Sequence, residues 1–345
     1  MKGSDKLIKF LSDRKESLAP LLIVTHDYPD PDAISSAFAL AFIAKQFYGI
    51  KSKIVYGGIL SRIENKLMVK YLKIPITGLK LHDFDKYKNI VLVDTQPLFE
   101  NNSFPKNKRA TIVIDQHGPL SKPEADLAIV EPDRSATCEI LAEALFKLNA
   151  SIPPNLATSL VYGILSDTLD LLRVRKENVF KIYLRLLSLC DMRILTRLQN
   201  PPHPAEFFNA LGKGIKNAKN CGKLIFCHLG FIEDPVLISH TTDLLSTYKK
   251  AHWTLCTGRY EGRLHVSLRS ACMTDNVGRL LKDIFANRAQ AGGHGVIAGG
   301  SLVIGKEAPS YRWQQAEKEI IRKLMRRLRI SGDCKKTFRL KKHER

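Results

Sequence analysis

LLIVTHDYPDPDAISSAFAL, residues 21–40, sets the architecture of everything around it. The apolar run Leu21–Val24 reads as a buried strand, and the spacing of apolar residues from Ala33 to Phe47 reads as a helix. The turn between them carries His26, Asp30 and Asp32 in the pattern H-x-x-x-D-x-D. It sits at the carboxyl end of the strand, where open α/β sheets place their ligands. An imidazole and two carboxylates in one turn suit a hard or borderline divalent cation such as Mn²⁺ or Mg²⁺. Capping explains part of the same pattern, since Asp30 followed by Pro31 is also a helix N-cap with proline at the first helical position.

The same event recurs further along. Lys88–Val93 reads as a buried strand that ends on Asp94 in VDTQP, and Ala110–Ile114 as another that ends on Asp115-Gln116-His117-Gly118. One acid after a strand is ordinarily a turn residue. Three such ends in a parallel sheet would converge on one edge. Lys53–Tyr56 and Leu127–Val130 read as further strands, and Arg62–Leu72 as a helix. Ser135 reads as the cap of a helix through SATCEILAEAL, and the helix Leu156–Leu165 runs into Ser166-Asp167-Thr168. A carboxylate at a helix C-terminus is electrostatically disfavoured, and a nearby cation would remove the objection for Asp167.

At 345 residues two domains are expected. The segment 177–198 reads as one amphipathic helix, and the proline-rich stretch 199–205 as a stiff linker. The resulting division is residues 1–198, linker 199–205, a second domain 206–330 and a basic tail 331–345. In the second half, helices are expected over 205–218, 234–248, 276–285 and 313–328, and strands over 223–227, 252–256, 263–268 and 302–304. The stretch AGGHGVIAGG, residues 291–300, reads as a glycine-rich loop.

Hydrophobic residues make up 44% of the chain and aromatics 8%, a globular balance. No apolar stretch reaches membrane-spanning length, and the N-terminus has an amphipathic helix pattern without a signal-peptide core, so a cytoplasmic location is expected. The seven cysteines are scattered without a C-x-x-C pair and read as reduced core residues. The formal net charge of +20 favours anionic ligands such as nucleotides, polyphosphate or RNA. Many of the cations lie in the segment 323–345. His203, His228, His240, His252 and His265 read as structural or surface residues, and Trp253 and Trp313 as packing anchors.

Taken in order, H-x-x-x-D-x-D-A, VDTQP, DQH, SDT and the later GGHGVIAGG resemble the DHH phosphoesterase family. The likeness is to its two-domain members with a C-terminal DHH-associated domain, the NrnA-type oligoribonucleases (nanoRNases) and phosphoadenosine-phosphate phosphatases. It implies an α/β fold with a parallel-sheet first domain, a smaller α/β substrate-binding domain and a cleft between them. It further implies two Mn²⁺ or Mg²⁺ ions, one held by His26, Asp30 and Asp94 and the other by Asp32, Asp94 and Asp167, with Asp94 shared. Gln116 stands where relatives carry a ligand histidine, which implies a weaker or differently selective second site. His117 would donate to the scissile phosphate or replace that ligand, oriented by Asp115. In the second domain Gly292, Gly293 and His294 resemble a phosphate-binding loop. Arg269 resembles a position that grips a terminal phosphate, with Arg288 and Arg263 as further candidates. The expected activity is hydrolysis of short oligoribonucleotides or small nucleotides, as exonuclease or phosphatase, possible homodimerisation included. The alternatives are a nucleotide-binding protein whose catalysis Gln116 has weakened and a nucleic-acid-binding protein acting through its basic tail.

Overall fold

The computed structural model describes residues 2–60, 62–80, 82–272, 274–285 and 290–338. Arg288 and the end of the basic tail lie outside them, and of His294 only the backbone is described. The chain forms two compact units, Met1–Pro202 and His203–Arg345.

The first unit is an α/β structure built on a parallel sheet. Its strands are β1 (Leu21–Thr25), β2 (Ser52–Tyr56), β3 (Ile76–Gly78), β4 (Asn89–Val93), β5 (Ala110–Asp115) and β6 (Ala125–Val130). They form one sheet in the order β3-β2-β1-β4-β5-β6, parallel throughout. The β1 sequence LLIVT buries both faces: Leu21 and Ile23 pack into one hydrophobic cluster, Leu22 and Val24 into another. That accounts for a continuous apolar run instead of an alternating one. The connecting helices are α1 (Gly3–Leu18), α2 (Pro31–Tyr48), α3 (Ile63–Leu72), α4 (Asp83–Lys86), α5 (Cys138–Lys147), α6 (Pro154–Thr168), α7 (Asn178–Leu187) and α8 (Met192–Gln199). The strand order reverses between β1 and β4, and a crevice for ligands opens outside the carboxyl ends at such a point.

Several elements differ from the sequence expectation for physical reasons. α2 begins at Pro31, because Asp30 caps it by accepting from Ala33 N at 3.0 Å. α5 begins at Cys138 rather than Ser135, and its first N–H groups are capped by Asp32 from another element. The single helix over 177–198 is two, broken where Asp191 accepts from Arg193 N and Ile194 N as a new N-cap.

The second unit contains α9 (Ala205–Asn217), β7 (Lys219–Cys221), β8 (Leu224–Phe231), α10 (Val236–Ser246), β9 (Trp253–Tyr260) and β10 (Arg263–Ser270). After these come α11 (Val277–Ile284), β11 (Ala291–His294), β12 (Ile297–Val303), α12 (Ser310–Arg327) and β13 (Lys335–Lys336). The sheet order is β11-β12-β10-β9-β8-β7-β13, mixed, with β8 and β9 the parallel pair. The glycine-rich stretch is therefore a β-hairpin and not a loop. Gly293 also answers to packing: a Cβ on it would lie 2.3 Å from Ile297 O, and one on Gly278 of α11 would lie 2.2 Å from Gly293 O. The cysteines are not all reduced, since Cys221 and Cys334 are joined in a disulfide that ties the β13 segment to β7. Among the described residues no helix is long and apolar enough to cross a membrane. An α/β fold with a parallel sheet in the first unit and a second, mixed-sheet unit matches the fold class expected from the sequence.

Candidate metal centre

β1 and β4, the two strands at the reversal, deliver His26 and Asp94 side by side. His26 Nδ1 donates to the Asp27 carbonyl at 2.9 Å, which turns Nε2 toward the acids. Nε2 lies 3.7 Å from Asp30 Oδ1 and 3.6 Å from Asp94 Oδ2. On the other side of Asp94, Oδ1 lies 3.6 Å from His117 Nδ1, which is itself 2.9 Å from Asp115 Oδ1. Two groups thus have donor atoms close enough to share an ion, His26 with Asp30 and Asp94, and Asp94 with Asp115 and His117. Asp94 is common to both. It is buried and its backbone has φ 59°, a left-handed conformation uncommon outside glycine, which stores local strain at the site.

Asp30 is a cap and a member of the first group at once, so capping and metal-facing geometry coexist in one side chain. Asp32 and Asp167 belong to neither group. Asp32 accepts from Thr137 N at 2.6 Å and Cys138 N at 2.8 Å, at the start of α5. Asp167, at the end of α6, accepts from Gln116 Nε2 at 2.9 Å. Gln116 does not present its amide oxygen to the acids. Oε1 accepts from Arg175 Nη1 at 2.9 Å, and with a carboxylate on one side and a guanidinium on the other the amide orientation follows from its partners. The oxygen that the expected ligand role of Gln116 would use is thus held by Arg175.

The electrostatics favour a cation. Burial pushes the Asp94 carboxyl well above the usual range, and Asp30 and Asp115 push it further. Burial does the same to Asp32 and Asp167, helped by the neighbouring aspartates. Burial alone would lower the His26 pKa, but hydrogen bonding and charge from Asp30, with Asp94, outweigh it and raise it to about 10. His117 is also raised, Asp115 outweighing burial. Among the described residues no lysine or arginine pairs with Asp32 or Asp94; the only cationic groups paired with Asp94 are the imidazoles of His26 and His117, and Asp32 has only N–H donors and a hydroxyl beside it. Carboxylate oxygens with imidazole nitrogen form a donor set that fits Mn²⁺ or Mg²⁺.

Thr137 was not singled out by sequence, yet it ties three motifs together. Its hydroxyl donates to Asp94 Oδ1 at 2.7 Å and accepts from Gln116 N at 3.1 Å, while its N–H donates to Asp32. Gln96, in VDTQP, donates to Asp115 Oδ2 at 2.7 Å and to the His117 carbonyl at 2.9 Å. Its place inside an already flagged motif was the available signal. Arg175 carried none.

In the second unit, Gly292 and Gly293 lie on β11, and Arg263 on β10 donates to Ser301 Oγ at 2.8 Å. Arg269 lies at the end of β10, where its expected role would place it. It is buried, with Nε donating to Asp243 Oδ1 at 2.6 Å and Nη1 to Ser267 Oγ at 2.9 Å.

Residues 20–164 match the model of the DHH family, N-terminal domain. An uncharacterised protein of Methanocaldococcus jannaschii is 31% identical over 307 residues, 88% of this chain and 62% of that protein. A probable manganese-dependent inorganic pyrophosphatase of Streptococcus agalactiae is 25% identical over 154 residues, 44% of this chain and 49% of that one. The chain thus spans 62% of the first relative and about half of the second. The crystal structure of an exopolyphosphatase-related protein from Bacteroides fragilis is similar at a TM-score of 0.71 over 93% of this chain and 97% of that one, at 16% identity, which shows a shared fold.

Proposed function

We propose that this chain is a metal-dependent phosphoesterase that hydrolyses short oligoribonucleotides or small nucleotides, phosphoadenosine phosphate and linear dinucleotides among them. The observation that carries this reading is the pair of acid–imidazole groups sharing Asp94 at the strand-order reversal. His26, Asp30 and Asp94 would hold one cation, and Asp94 with Asp115 or His117 a second, with Asp32 and Asp167 close at hand. Bound there, divalent cations supply Lewis-acid activation of water and of phosphoryl oxygen. The protein's own groups do the rest. The Asp27 carbonyl fixes the His26 tautomer, and Asp115 orients His117, whose ring would donate to a phosphate oxygen or a leaving group.

The similarity to a probable manganese-dependent inorganic pyrophosphatase supports manganese as the ion and makes pyrophosphate the substrate to compare with nucleotides. A second reading, a nucleotide-binding protein with weakened turnover, is favoured by the Arg175 hold on Gln116 Oε1. The test is turnover of phosphoadenosine phosphate, an RNA dinucleotide and pyrophosphate with Mn²⁺ or Mg²⁺, in the unmodified protein and in Gln116→His. Turnover in the unmodified protein supports the hydrolase. Activity confined to Gln116→His supports the binding protein.

A further inference from the structure

α12 and the two residues after it carry an unusual load of charge. Residues 318–329 read KEIIRKLMRRLR, with Lys318, Arg322, Lys323, Arg326, Arg327 and Arg329 against one Glu319. Two cations are internally neutralised, Lys323 by Glu319 at 2.7 Å and Arg327 by Asp283 at 2.6 Å. Lys318, Arg322, Arg326 and Arg329 are exposed and have no ion-pair partner among the described residues. Lys318, Arg322 and Arg326 recur every four residues, about 6 Å apart along one face.

Two concavities meet on this ridge at Arg326. One, of about 720 Å³, is lined by Lys323, Arg326, Arg327 and Arg329 with Ile284, Phe285 and the single acid Asp283, which Arg327 engages. The other, of about 600 Å³, has an apolar floor of Phe226, Ile321, Met325 and Ile330 and a rim that includes Lys318 and Arg322. Its one carboxylate, Glu317, is spent on Arg259 at 2.9 Å and 3.0 Å. A third observation points the same way. The disulfide-tied strand β13 sets Lys336 directly opposite Lys219, another residue of that rim. Like charges opposite each other on neighbouring strands disfavour the pairing unless an anion relieves them.

We propose that the α12 ridge and its two concavities form a docking surface for single-stranded nucleic acid. Phosphates lie along the unpaired cations and bases on the apolar floor. The apolar floor separates this ligand from a bare phosphate chain, because single strands are held by combining charge with base packing. None of Gly292, Gly293 or Arg269 lines either concavity, so the surface is distinct from the loop expected to hold a small substrate. It is also independent of the proposed hydrolase activity.

The test is fluorescence anisotropy with a short, unstructured, end-labelled RNA and the full chain. EDTA is present so that the metal centre plays no part, and salt is varied over about 50–200 mM. The double variant Arg322→Glu/Arg326→Glu is expected to weaken binding at least about tenfold. It is also expected to flatten the salt dependence by about 1.4, two phosphate contacts at about 0.7 each. Arg322→Gln/Arg326→Gln is expected to lose a smaller part of the affinity with the same loss of slope, and carries the test should the reversal pair misfold. Lys9→Glu/Lys70→Glu, the same charge change on exposed residues of the first unit, is expected to alter binding less than about twofold. Equal losses in the two reversal pairs would overturn the proposal. So would competition by inorganic polyphosphate as strong as that by unlabelled RNA at equal charge.

Discussion

Thr137 is the residue on which the centre's geometry turns, because one hydroxyl joins Asp94 to the Gln116 backbone. Thr137→Val keeps the shape and removes both bonds. It is expected to raise the Mn²⁺ dissociation constant about 10–100-fold, with Thr137→Ser close to the parent, both measured by calorimetry. Asp94→Asn should show the opposite balance of stability and function. The amide removes a buried charge that burial disfavours, so the metal-free protein should melt higher, while stabilisation by Mn²⁺ disappears. His26, Asp30, Asp94 and Asp115 were legible in the sequence because each follows a strand at short, fixed distance. Thr137 and Arg175 were not, because their partners lie far away in the chain and no local pattern marks them. The partner of Arg269 was illegible for a related reason: a strand-borne arginine does not reveal that Asp243 on α10 meets it.

Among elements, the contact between α2 and α6 positions the motif. A Cβ on Gly163 would lie 2.9 Å from Ser35 Oγ and 3.2 Å from the Pro31 carbonyl, and Ser35 Oγ donates to the Ser159 carbonyl. Gly163→Val should push α6 from α2 and cost about 1–3 kcal/mol in urea unfolding. It should weaken Mn²⁺ binding as well, since the displaced helices carry Asp32 and Asp167, with Asp30 as the N-cap of α2. The longer helices and the parallel strands of the first unit were readable from apolar periodicity, whereas the short elements β3, α4, β7 and β13 carried too few residues to show a period. The start of α5 and the break at Asp191 were not, since each depends on which carboxylate reaches the free N–H groups. The glycine hairpin was read as a loop because glycine gives no strand signal, whereas its pairing with β12 and its closeness to α11 are tertiary.

At the level of the whole molecule, the raised histidines and aspartates make stability depend on pH in one direction. His26 and His117 have folded pKa values above the unfolded value near 6.5, so the stability they contribute is complete below it and is lost as pH rises. Asp32, Asp94 and Asp167 are raised as well, and ionising them in the folded state opposes folding as pH climbs above the ordinary carboxylate range. Both terms have the same sign. The chelated protein should therefore lose melting temperature between pH 6.5 and about 10, and saturating Mn²⁺ should flatten the decline. The first unit should respond to the metal, and the second, which carries the α12 cations, should not.

The most direct measurement is hydrolysis of phosphoadenosine phosphate and an RNA dinucleotide under saturating Mn²⁺, with chelated protein and Asp94→Asn in parallel. Phosphoesterase chemistry at the shared carboxylate predicts turnover that chelation abolishes and that Asp94→Asn lowers at least about 100-fold. Absence of turnover in the unmodified, metal-saturated protein, or undiminished turnover in Asp94→Asn, would contradict it.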